Sequence, residues 1–285
     1  MRASDILRLL LLAAIWGGSF VFLRVVAPAF GPIVTADLRV LIAWGALAIY
    51  LRAAGIDVNW RRFWQQYLVI GTFNAALPFF LFAFAALHIQ ASYSAILNAT
   101  SPFFAALFAG IWLGEKITVL KGLGFVFGIA GVGLVTGVAS GAAGSAVTWA
   151  MAACLLASVS YGFVSVYTKK YAAAANPRAI AAGSQLMAGF MLLPFTPLAP
   201  PPGPLTLFIA MNMILFALLS SGVAFLLYYR LIADIGPTKA LTVTFLMPAF
   251  TMIWAALFLG ETITAVMIVG STFILAGTGL VVVRQ

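Results

Sequence analysis

Apolar residues dominate the chain in ten long runs, and short stretches with charged residues, glycine or proline separate them. A helix needs about 20 residues to cross the roughly 30 Å of hydrocarbon in a bilayer. Each run is about that long, and no polar stretch between runs is long enough for a separate domain. The pattern therefore predicts one all-α membrane domain over residues 1–285, with ten transmembrane helices at residues 6–26, 33–51, 67–86, 91–113, 119–138, 147–167, 179–198, 205–229, 240–259 and 265–283.

Composition leads to the same class of protein. Hydrophobic residues make up 64% of the chain, charged residues 7%, and the mean hydropathy is +1.14. A soluble domain is about 25% charged. A chain so apolar is expected to face a lipid bilayer rather than water. Because no A-x-A-like cleavage site follows the first run, that run is expected to stay as a span and not to be removed as a signal peptide.

The basic residues predict the orientation of the helices. The net charge is +9, and 13 of the 15 Lys and Arg residues fall on one side if the N-terminus is cytoplasmic. Arg24 lies near the other side and Arg39 lies inside the second span. Because cytoplasmic loops are enriched in Lys and Arg, both termini are predicted to be cytoplasmic. The same residues form no continuous basic stripe, so a nucleic-acid partner is not expected.

An internal repeat divides the chain. When the sequence is shifted by 146 residues, 15 of the 34 residues at positions 102–135 are identical to their counterparts, including Leu113-Gly114-Glu115 on Leu259-Gly260-Glu261. The same shift places Gln185 on Arg39. The repeat predicts two five-helix halves, residues 1–140 and 147–285.

The number of helices in each half determines how the halves are related. Because five is odd, the second copy enters the membrane from the opposite side, so the repeat is inverted. A shift of 145 residues places Tyr161-Gly162 of the sixth span on Trp16-Gly17 of the first. Inverted repeats are a known transporter architecture, with the substrate site near the midplane where the halves meet.

Several of these residues form a familiar pattern. Each half has a mid-span proline, Pro102 or Pro248, followed by Leu-Gly-Glu before its last span, and the first span carries Trp16-Gly17-Gly18-Ser19-Phe20. Together with Arg39, this pattern resembles the EamA-type branch of the drug/metabolite transporter superfamily, including amino-acid exporters of the YddG type. The resemblance implies efflux of small metabolites across a bacterial inner membrane by alternating access, without an ATP site.

Polar and aromatic residues form stripes on several spans, and such residues are not expected to face lipid. They can line a cavity or join helices by hydrogen bonds. Prolines in mid-span, such as Pro78, free backbone carbonyls or act as bending points. The residues predicted to line a substrate cavity are Trp16, Ser19, Asn74, Pro78, Phe79, Phe82, Ser94, Asn98, Ser101, Tyr161, Ser165, Tyr228, Thr244 and Phe245.

The charged residues near the membrane leave two questions open. Arg39 either binds a substrate carboxylate or has a structural role. The six acidic residues are all placed at span ends or in loops, so no buried carboxylate is expected for proton coupling. This favours uncoupled transport or exchange. His88, the only histidine, is expected at the interface between membrane and water.

Two repeated features have structural interpretations. Glu115 and Glu261 precede the last span of each half and are predicted to cap it, with a gating ion pair as the alternative. Small-residue faces on the fifth and tenth spans predict that these helices pack closely on each other. The alternative use of these faces is a weak homodimer; otherwise the chain is a monomer.

The function predicted from the sequence is export of small metabolites, above all amino acids including aromatic ones. The alternative within the transporter class is export of cationic drugs or other small metabolites coupled to protons. A membrane-embedded lipid enzyme is a distant alternative, because one histidine and dispersed acids provide no catalytic cluster. No catalytic residue, metal site or cofactor is predicted. Cys154 is the only cysteine, so an intramolecular disulfide is excluded.

Overall fold

A computed structural model describes residues 2–140, 144–235 and 243–282. Within these ranges the chain is helical and contains no β-strand. The helices are α1 (Ala3–Phe30), α2 (Pro32–Ala53), α3 (Trp60–Gly71, Thr72–Ala76 and Leu77–Ala86), α4 (Ala91–Asn98 and Ser101–Leu113), α5 (Val119–Ser140), α6 (Ser145–Tyr171), α7 (Pro177–Leu192, with a 3-10 turn Leu193–Leu198), α8 (Leu207–Ala217, Leu218–Val223 and Ala224–Ile235), α9 (Val243–Leu259) and α10 (Ala265–Val282).

The prediction of ten membrane helices is confirmed. Nine of the described helices are long and apolar enough to cross a membrane, and the described part of α9 is a shorter apolar helix. Several helices extend beyond the apolar runs; α6, predicted at 147–167, covers Ser145–Tyr171. The predicted first residues of the ninth span (240–242), the last residue of the tenth (283), and positions 141–143 between the halves lie outside the described residues.

Two of the helices contain a π-helical turn at equivalent positions. Residues Thr72–Ala76 of α3 and Leu218–Val223 of α8 are π-helical, and the 146-residue shift carries 72–76 onto 218–222. In α3 the turn precedes Pro78, whose ring would otherwise clash with the carbonyl four residues earlier. The residue of α8 at the equivalent position is Ala224. The π-turn of α8 therefore forms without a proline after it, and no proline in the sequence indicates it.

The other two mid-span prolines differ in their effect. In α4, helix Ala91–Asn98 ends and a new helix begins at Ser101, so the break coincides with Pro102. In α9 the described helix continues through Pro248. The expectation that proline bends or opens its span therefore holds visibly for α3 and α4 only.

The Leu-Gly-Glu motif ends a helix in each half. Gly114 and Gly260 both have positive φ, +68° and +64°. A glycine in this left-handed conformation commonly ends a helix, because it has no Cβ to clash. The N–H of Glu115 then donates to the carbonyl of Ala109, and the N–H of Glu261 donates to that of Ala255. The motif is thus a helix terminator that turns each glutamate back over its own helix.

Helices α5 and α10 pack closely against each other, with glycines at the point where they cross. A Cβ built on Gly124 would lie 2.6 Å from the carbonyl oxygen of Gly277, and one on Gly131 would lie 2.9 Å from that of Gly270. The 146-residue shift places Gly124 on Gly270 and Gly131 on Gly277, so the two contacts are equivalent. The crossing therefore obeys the pseudo-two-fold symmetry of the repeat. The prediction that the fifth and tenth spans pack on each other is confirmed.

This crossing bears on the predicted homodimer. The glycines that contact the partner helix are used inside the chain, whereas a Cβ added to any of three others would meet no atom within 4 Å: Gly133, Gly137 and Gly279. These three glycines and Gly122 are the ones on α5 and α10 that remain available to another molecule. The oligomeric state therefore stays a prediction.

Two further glycine contacts join the halves. A Cβ on Gly17 of α1 would lie 2.9 Å from the Cβ of Phe250 on α9, and one on Gly162 of α6 would lie 2.5 Å from the Cβ of Phe104 on α4. These pairs are again related by the repeat. They bring the residues next to the glycines, Trp16 and Tyr161, into the interior between the halves.

Candidate substrate site

Two equivalent aromatic clusters flank the centre of the molecule. The ring of Trp16 lies 5.3 Å from that of Tyr228 and 6.2 Å from that of Phe225, between ring centroids. The ring of Tyr161 stacks on that of Phe82 at 6.3 Å. The repeat carries Phe82 onto Tyr228. Each cluster therefore joins the first helix of one half to the third helix of the other half. The sequence-predicted residues Trp16, Phe82, Tyr161 and Tyr228 therefore belong to two matched clusters.

Both π-turns are held by a side chain from these same helices. The indole N–H of Trp16 donates to the carbonyl of Ser220 at 3.1 Å, and the hydroxyl of Ser160 donates to the carbonyl of Phe73 at 2.8 Å. A π-turn removes backbone carbonyls from the regular ladder and is frequent at functional sites. Here two of these carbonyls have found partners on α1 and α6.

Arg39 lies inside the protein, next to one of the clusters. Its Nε donates to the hydroxyl of Ser221 at 2.9 Å, and its Cζ lies 3.6 Å from the ring centroid of Phe79 and 4.4 Å from that of Phe216. Only 6% of its surface is exposed. The side chain therefore stays between α3 and α8 and does not reach a helix end.

Exposure along the polar stripes changes in one direction. On α6, Ser158 is buried, Tyr161 is half-buried and Ser165 is exposed; on α4, Ser94 is buried and Asn98 is half-buried. In both helices exposure increases toward the end of the bundle that carries Glu115.

Several predicted cavity residues have local partners. The hydroxyls of Ser19, Ser101 and Ser165 donate to carbonyls of their own helices, three residues earlier. The thiol of Cys154 donates to the hydroxyl of Ser94 at 3.7 Å. For these four serines the structure favours the role of joining or bending helices. Of the other predicted residues, Pro78 is buried in α3, and three are half-buried: Asn74 on the π-turn of α3, and Thr244 and Phe245 at the described start of α9.

Several residues of the site were not predicted as cavity residues, among them Phe216, Ser220 and Phe225 of α8. The repeat indicates two of these three, because the 146-residue shift places the predicted cavity residues Phe79 and Asn74 on Phe225 and Ser220. Phe216 has no such signal, since its counterpart in the first half is Ile70.

The prediction that all six acids lie at span ends or in loops is wrong for Asp37. This residue is the sixth in α2, only 3% of its surface is exposed, and its Oδ1 has no hydrogen-bond partner among the described residues. Five residues of α2 precede Asp37, so it lies more than one turn inside the helix, and α7 packs against its carboxylate. The nearest approach is at Gly189, where a Cβ would lie 3.7 Å from Oδ1.

The prediction that Glu115 and Glu261 cap the helices that follow them is also wrong. Those caps are threonines: the hydroxyl of Thr118 accepts from the N–H of Lys121 in α5, and that of Thr264 accepts from the N–H of Met267 in α10, both at 3.3 Å. A threonine before the first helical residue satisfies these N–H groups better than a more distant glutamate can. Both glutamates are thereby free for other partners.

Glu261 joins the two halves at its end of the bundle. Its carboxylate accepts from the N–H of Ala91 at 2.8 Å and from the hydroxyl of Ser92 at 3.2 Å, at the N-terminus of α4. Arg24 of α1 lies 3.8 Å away, between Nε and Oε1. The side chain is 6% exposed. A buried carboxylate at a helix N-terminus is favoured by the helix dipole, so this contact joins α1 and α4 to the end of α9.

Glu115, the repeat counterpart of Glu261, makes different contacts. Its carboxylate lies 3.2 Å from the Nζ of Lys169 and 3.6 Å from that of Lys121. The equivalent of the Glu261 contact would involve residues 237 and 238, which lie outside the described residues. His88, predicted at the membrane interface, is exposed just beyond the end of α3.

A separate cavity lies away from this centre. It has a volume of about 290 Å³ and lies between α2, α7 and the connection from α2 to α3, with lining residues that include Trp44, Arg52, Asp57 and Trp60. None of the residues predicted to bind substrate lines it. The central site is instead defined by the aromatic clusters, the π-turns and Arg39.

The fold and the site together define a polytopic transporter built from two inverted five-helix repeats. The model of the EamA-like transporter family matches residues 4–137 and 148–283, one match in each half. The chain belongs to the EamA-like transporter family, and it is a membrane transporter, not an enzyme.

Similar proteins are also transporters. The chain is 23% identical to the uncharacterized transporter YvbV of Bacillus subtilis, over 98% of this chain and 92% of that protein. It is 26% identical to the uncharacterized inner membrane transporter YedA of Escherichia coli, over 88% of this chain and 82% of that protein. It is 24% identical to a probable terminal-alkyne amino-acid exporter of Streptantibioticus cattleyicolor, over 96% and 91%.

A solved crystal structure has the same fold. The two chains superpose with a TM-score of 0.69, and the superposition covers 98% of this chain and 96% of the other at 16% sequence identity. At this identity the similarity concerns the fold alone.

Proposed function

We propose that this transporter exports amino acids, including aromatic ones, across the bacterial inner membrane by alternating access. Its substrate binds between the halves, beside Trp16 and Tyr161. The observation that carries this proposal is the pair of equivalent aromatic clusters at the interior, one for each half. Aromatic rings suit an apolar side chain, and neighbouring hydroxyls and backbone groups suit a zwitterionic end. The relative named as a probable amino-acid exporter supports the same substrate class.

The repeat supports the mechanism. Two halves that are related by a pseudo-two-fold axis in the membrane plane can form similar arrangements that open to opposite sides. The Glu261 contact closes one end while exposure increases toward the other. With both termini cytoplasmic, as the basic residues predict, the Glu261 end faces outward and the site is accessible from the cytoplasm, where an exporter takes up its substrate.

Cationic drugs are the alternative substrate class. Aromatic rings attract cations, but the buried charge nearest to the clusters is the cation Arg39, which repels them. A competition panel of all amino acids and several organic cations, in proteoliposomes, distinguishes the two classes. Inhibition by cations alone would contradict the amino-acid proposal.

Replacing site residues is expected to reduce transport without loss of folded protein. We expect about tenfold lower uptake, equivalent to roughly 1.4 kcal/mol of lost binding, for an amino acid that the competition panel identifies as a substrate. The three variants to be compared are Trp16→Ala, Asn98→Ala and Tyr161→Ala. Trp149→Ala is the matched control, because Trp149 is 68% exposed on α6. Normal transport by all three site variants would show that the substrate binds elsewhere.

Transport is expected to proceed without an imposed proton gradient, as exchange or facilitated diffusion. The buried Asp37 makes this prediction worth testing directly, because a buried carboxylate is the usual proton carrier in transporters. Counterflow rates should be the same with and without a pH gradient, in the natural protein and in Asp37→Asn. An absolute requirement for the gradient that disappears in Asp37→Asn would establish proton coupling through this residue.

A further inference from the structure

Arg39 is a buried cation whose charge no described carboxylate neutralises. The acidic group nearest in sequence is Asp37, two residues earlier, and none of the ion pairs in the described structure includes Arg39. Residues two apart on a helix point in roughly opposite directions, and Asp37 faces α7. Burial of an unpaired charge is costly, and natural proteins keep such costs mainly at functional sites.

The surroundings of Arg39 leave one part of the guanidinium free. Phe79 and Phe216 both lie against its Cζ, and since these two rings make no contact with each other, they cover different sides of the group. Nε is engaged by Ser221. The two terminal amino groups, which carry four N–H donors, have no hydrogen-bond partner among the described residues. This edge is the part that binds a carboxylate with two parallel hydrogen bonds.

The aromatic cluster of Phe82 and Tyr161 lies next to this site. Phe79, which covers the guanidinium, and Phe82 are three residues apart on α3 and therefore neighbours on one face of the helix. A carboxylate bound at Arg39 therefore places the rest of its molecule against the aromatic rings.

The charge of the site is not symmetric, although the fold is. The repeat counterpart of Arg39 is Gln185, which is neutral and buried, and whose Oε1 has no hydrogen-bond partner among the described residues. One half thus offers a cation and the other a neutral amide. This asymmetry suits a substrate with one anionic end, because only one of the two equivalent positions carries a cation.

We infer that Arg39 binds the carboxylate of the substrate, so that this transporter selects compounds with a free carboxylate and an apolar or aromatic side group. The inference rests on the proposed function and narrows it. Compounds whose carboxylate is converted to an amide keep their shape but lose the two charged hydrogen bonds, which should weaken binding by about 10- to 100-fold.

The test compares acids with their amides on the purified full-length protein. Binding of L-phenylalanine, L-phenylalaninamide, 3-phenylpropionate and 3-phenylpropionamide is measured from ligand-induced shifts of the unfolding temperature. The natural protein should prefer each acid to its amide. In Arg39→Gln, which copies the counterpart residue, affinity for the acids should fall to that for the amides while affinity for the amides is unchanged. Arg39→Lys keeps the charge but lacks the planar guanidinium. Its preference for acids over amides should lie between those of the natural protein and Arg39→Gln.

The stability of the ligand-free variants separates this role from a structural one. Removal of an unpaired buried cation should leave the unfolding temperature of Arg39→Gln unchanged or higher. A lower unfolding temperature together with equal losses for acids and amides would show that Arg39 is structural. A preference for acids that persists in Arg39→Gln, or its absence from the natural protein, would also overturn the inference, and so would binding of none of the four compounds.

The proposed function is tested separately, by uptake of labelled L-phenylalanine and other amino acids into proteoliposomes. If no amino acid is transported but 3-phenylpropionate binds in an Arg39-dependent way, the proposal of amino-acid export fails and the carboxylate site stands. If amino acids are transported and the Arg39→Gln variant keeps the preference for acids, the reverse holds.

Discussion

Substitution of Gly162 by alanine is expected to destabilise the protein strongly. The added methyl group would lie 2.5 Å from the Cβ of Phe104 and 2.6 Å from the backbone nitrogen of Ala105. Backbone cannot move aside as a flexible side chain can, so α4 and α6 must separate. Overpacking of this kind costs about 1–3 kcal/mol, which corresponds to a fall in the unfolding temperature of roughly 2–12 °C for a chain near this size.

Two other glycines provide the comparison. Gly17→Ala, the equivalent change at the contact of α1 with α9, should be milder, because its methyl would lie 2.9 Å from the nearest atom. Gly45→Ala is the control, since nothing lies within 4 Å of the added methyl and alanine favours helix over glycine by up to about 1 kcal/mol. Thermal unfolding of the detergent-purified variants, followed by size-exclusion chromatography, measures all three. Equal unfolding temperatures for Gly162→Ala and Gly45→Ala would contradict the close contact.

Substitution of Glu261 by alanine is expected to open the end of the bundle that it closes. The change removes the acceptor for the N–H of Ala91 and the hydroxyl of Ser92, and it leaves Arg24 without its carboxylate. Hydrogen bonds to a charged group contribute about 1.5–3 kcal/mol. Loss of one such contribution from the closed state should raise the population of the open state by about tenfold or more.

A single cysteine can report this opening. In a protein with Cys154→Ser and Ser94→Cys, the two hydrogen-bonded groups exchange sulfur for oxygen, and the new thiol lies on the buried part of the α4 stripe, toward the Glu261 end. Labelling by a membrane-impermeant maleimide should be about tenfold faster when Glu261→Ala is added.

Glu115→Ala is the matched control for the other end. Glu115 pairs with Lys169, whose side chain is 66% exposed, and with Lys121, whose side chain is 7% exposed, and both pairs lie at the end of the bundle far from Ser94. The Ser94→Cys thiol should therefore react at its original rate in this variant. Equal labelling in the Glu261→Ala and Glu115→Ala proteins would mean that the Glu261 contact does not hold the end closed.

Much of the fold was predictable because it depends on short-range properties of the sequence. Ten spans follow from hydropathy over about 20 residues, and the repeat follows from identities such as Gly124 with Gly270 and Gly131 with Gly277. The structure adds why these glycines are there: Gly124 contacts Gly277 and Gly131 contacts Gly270. Sequence comparison aligns equivalent residues, whereas packing joins residues that are not equivalent.

The site was predictable only in part. Trp16, Phe82, Tyr161 and Tyr228 were predicted as cavity residues, and the structure brings them into two matched clusters. Hydroxyl residues were less predictable, because a serine that bonds to its own helix and one that faces a cavity have the same sequence spacing. The π-turn of α8 was not predictable from its own residues, since the donor to its Ser220 carbonyl is the indole N–H of Trp16, 204 positions away.

By itself, the sequence determined that this protein is a ten-helix membrane transporter of two inverted halves, because hydropathy and internal identity are properties of the chain. Only the tertiary structure decided the environments of its charged residues. Asp37 is buried because α7 covers it, Glu261 caps α4 because the halves meet there, and Arg39 lies between aromatic rings from α3 and α8. Burial and charge pairing depend on which distant helices become neighbours, and no local pattern contains that information.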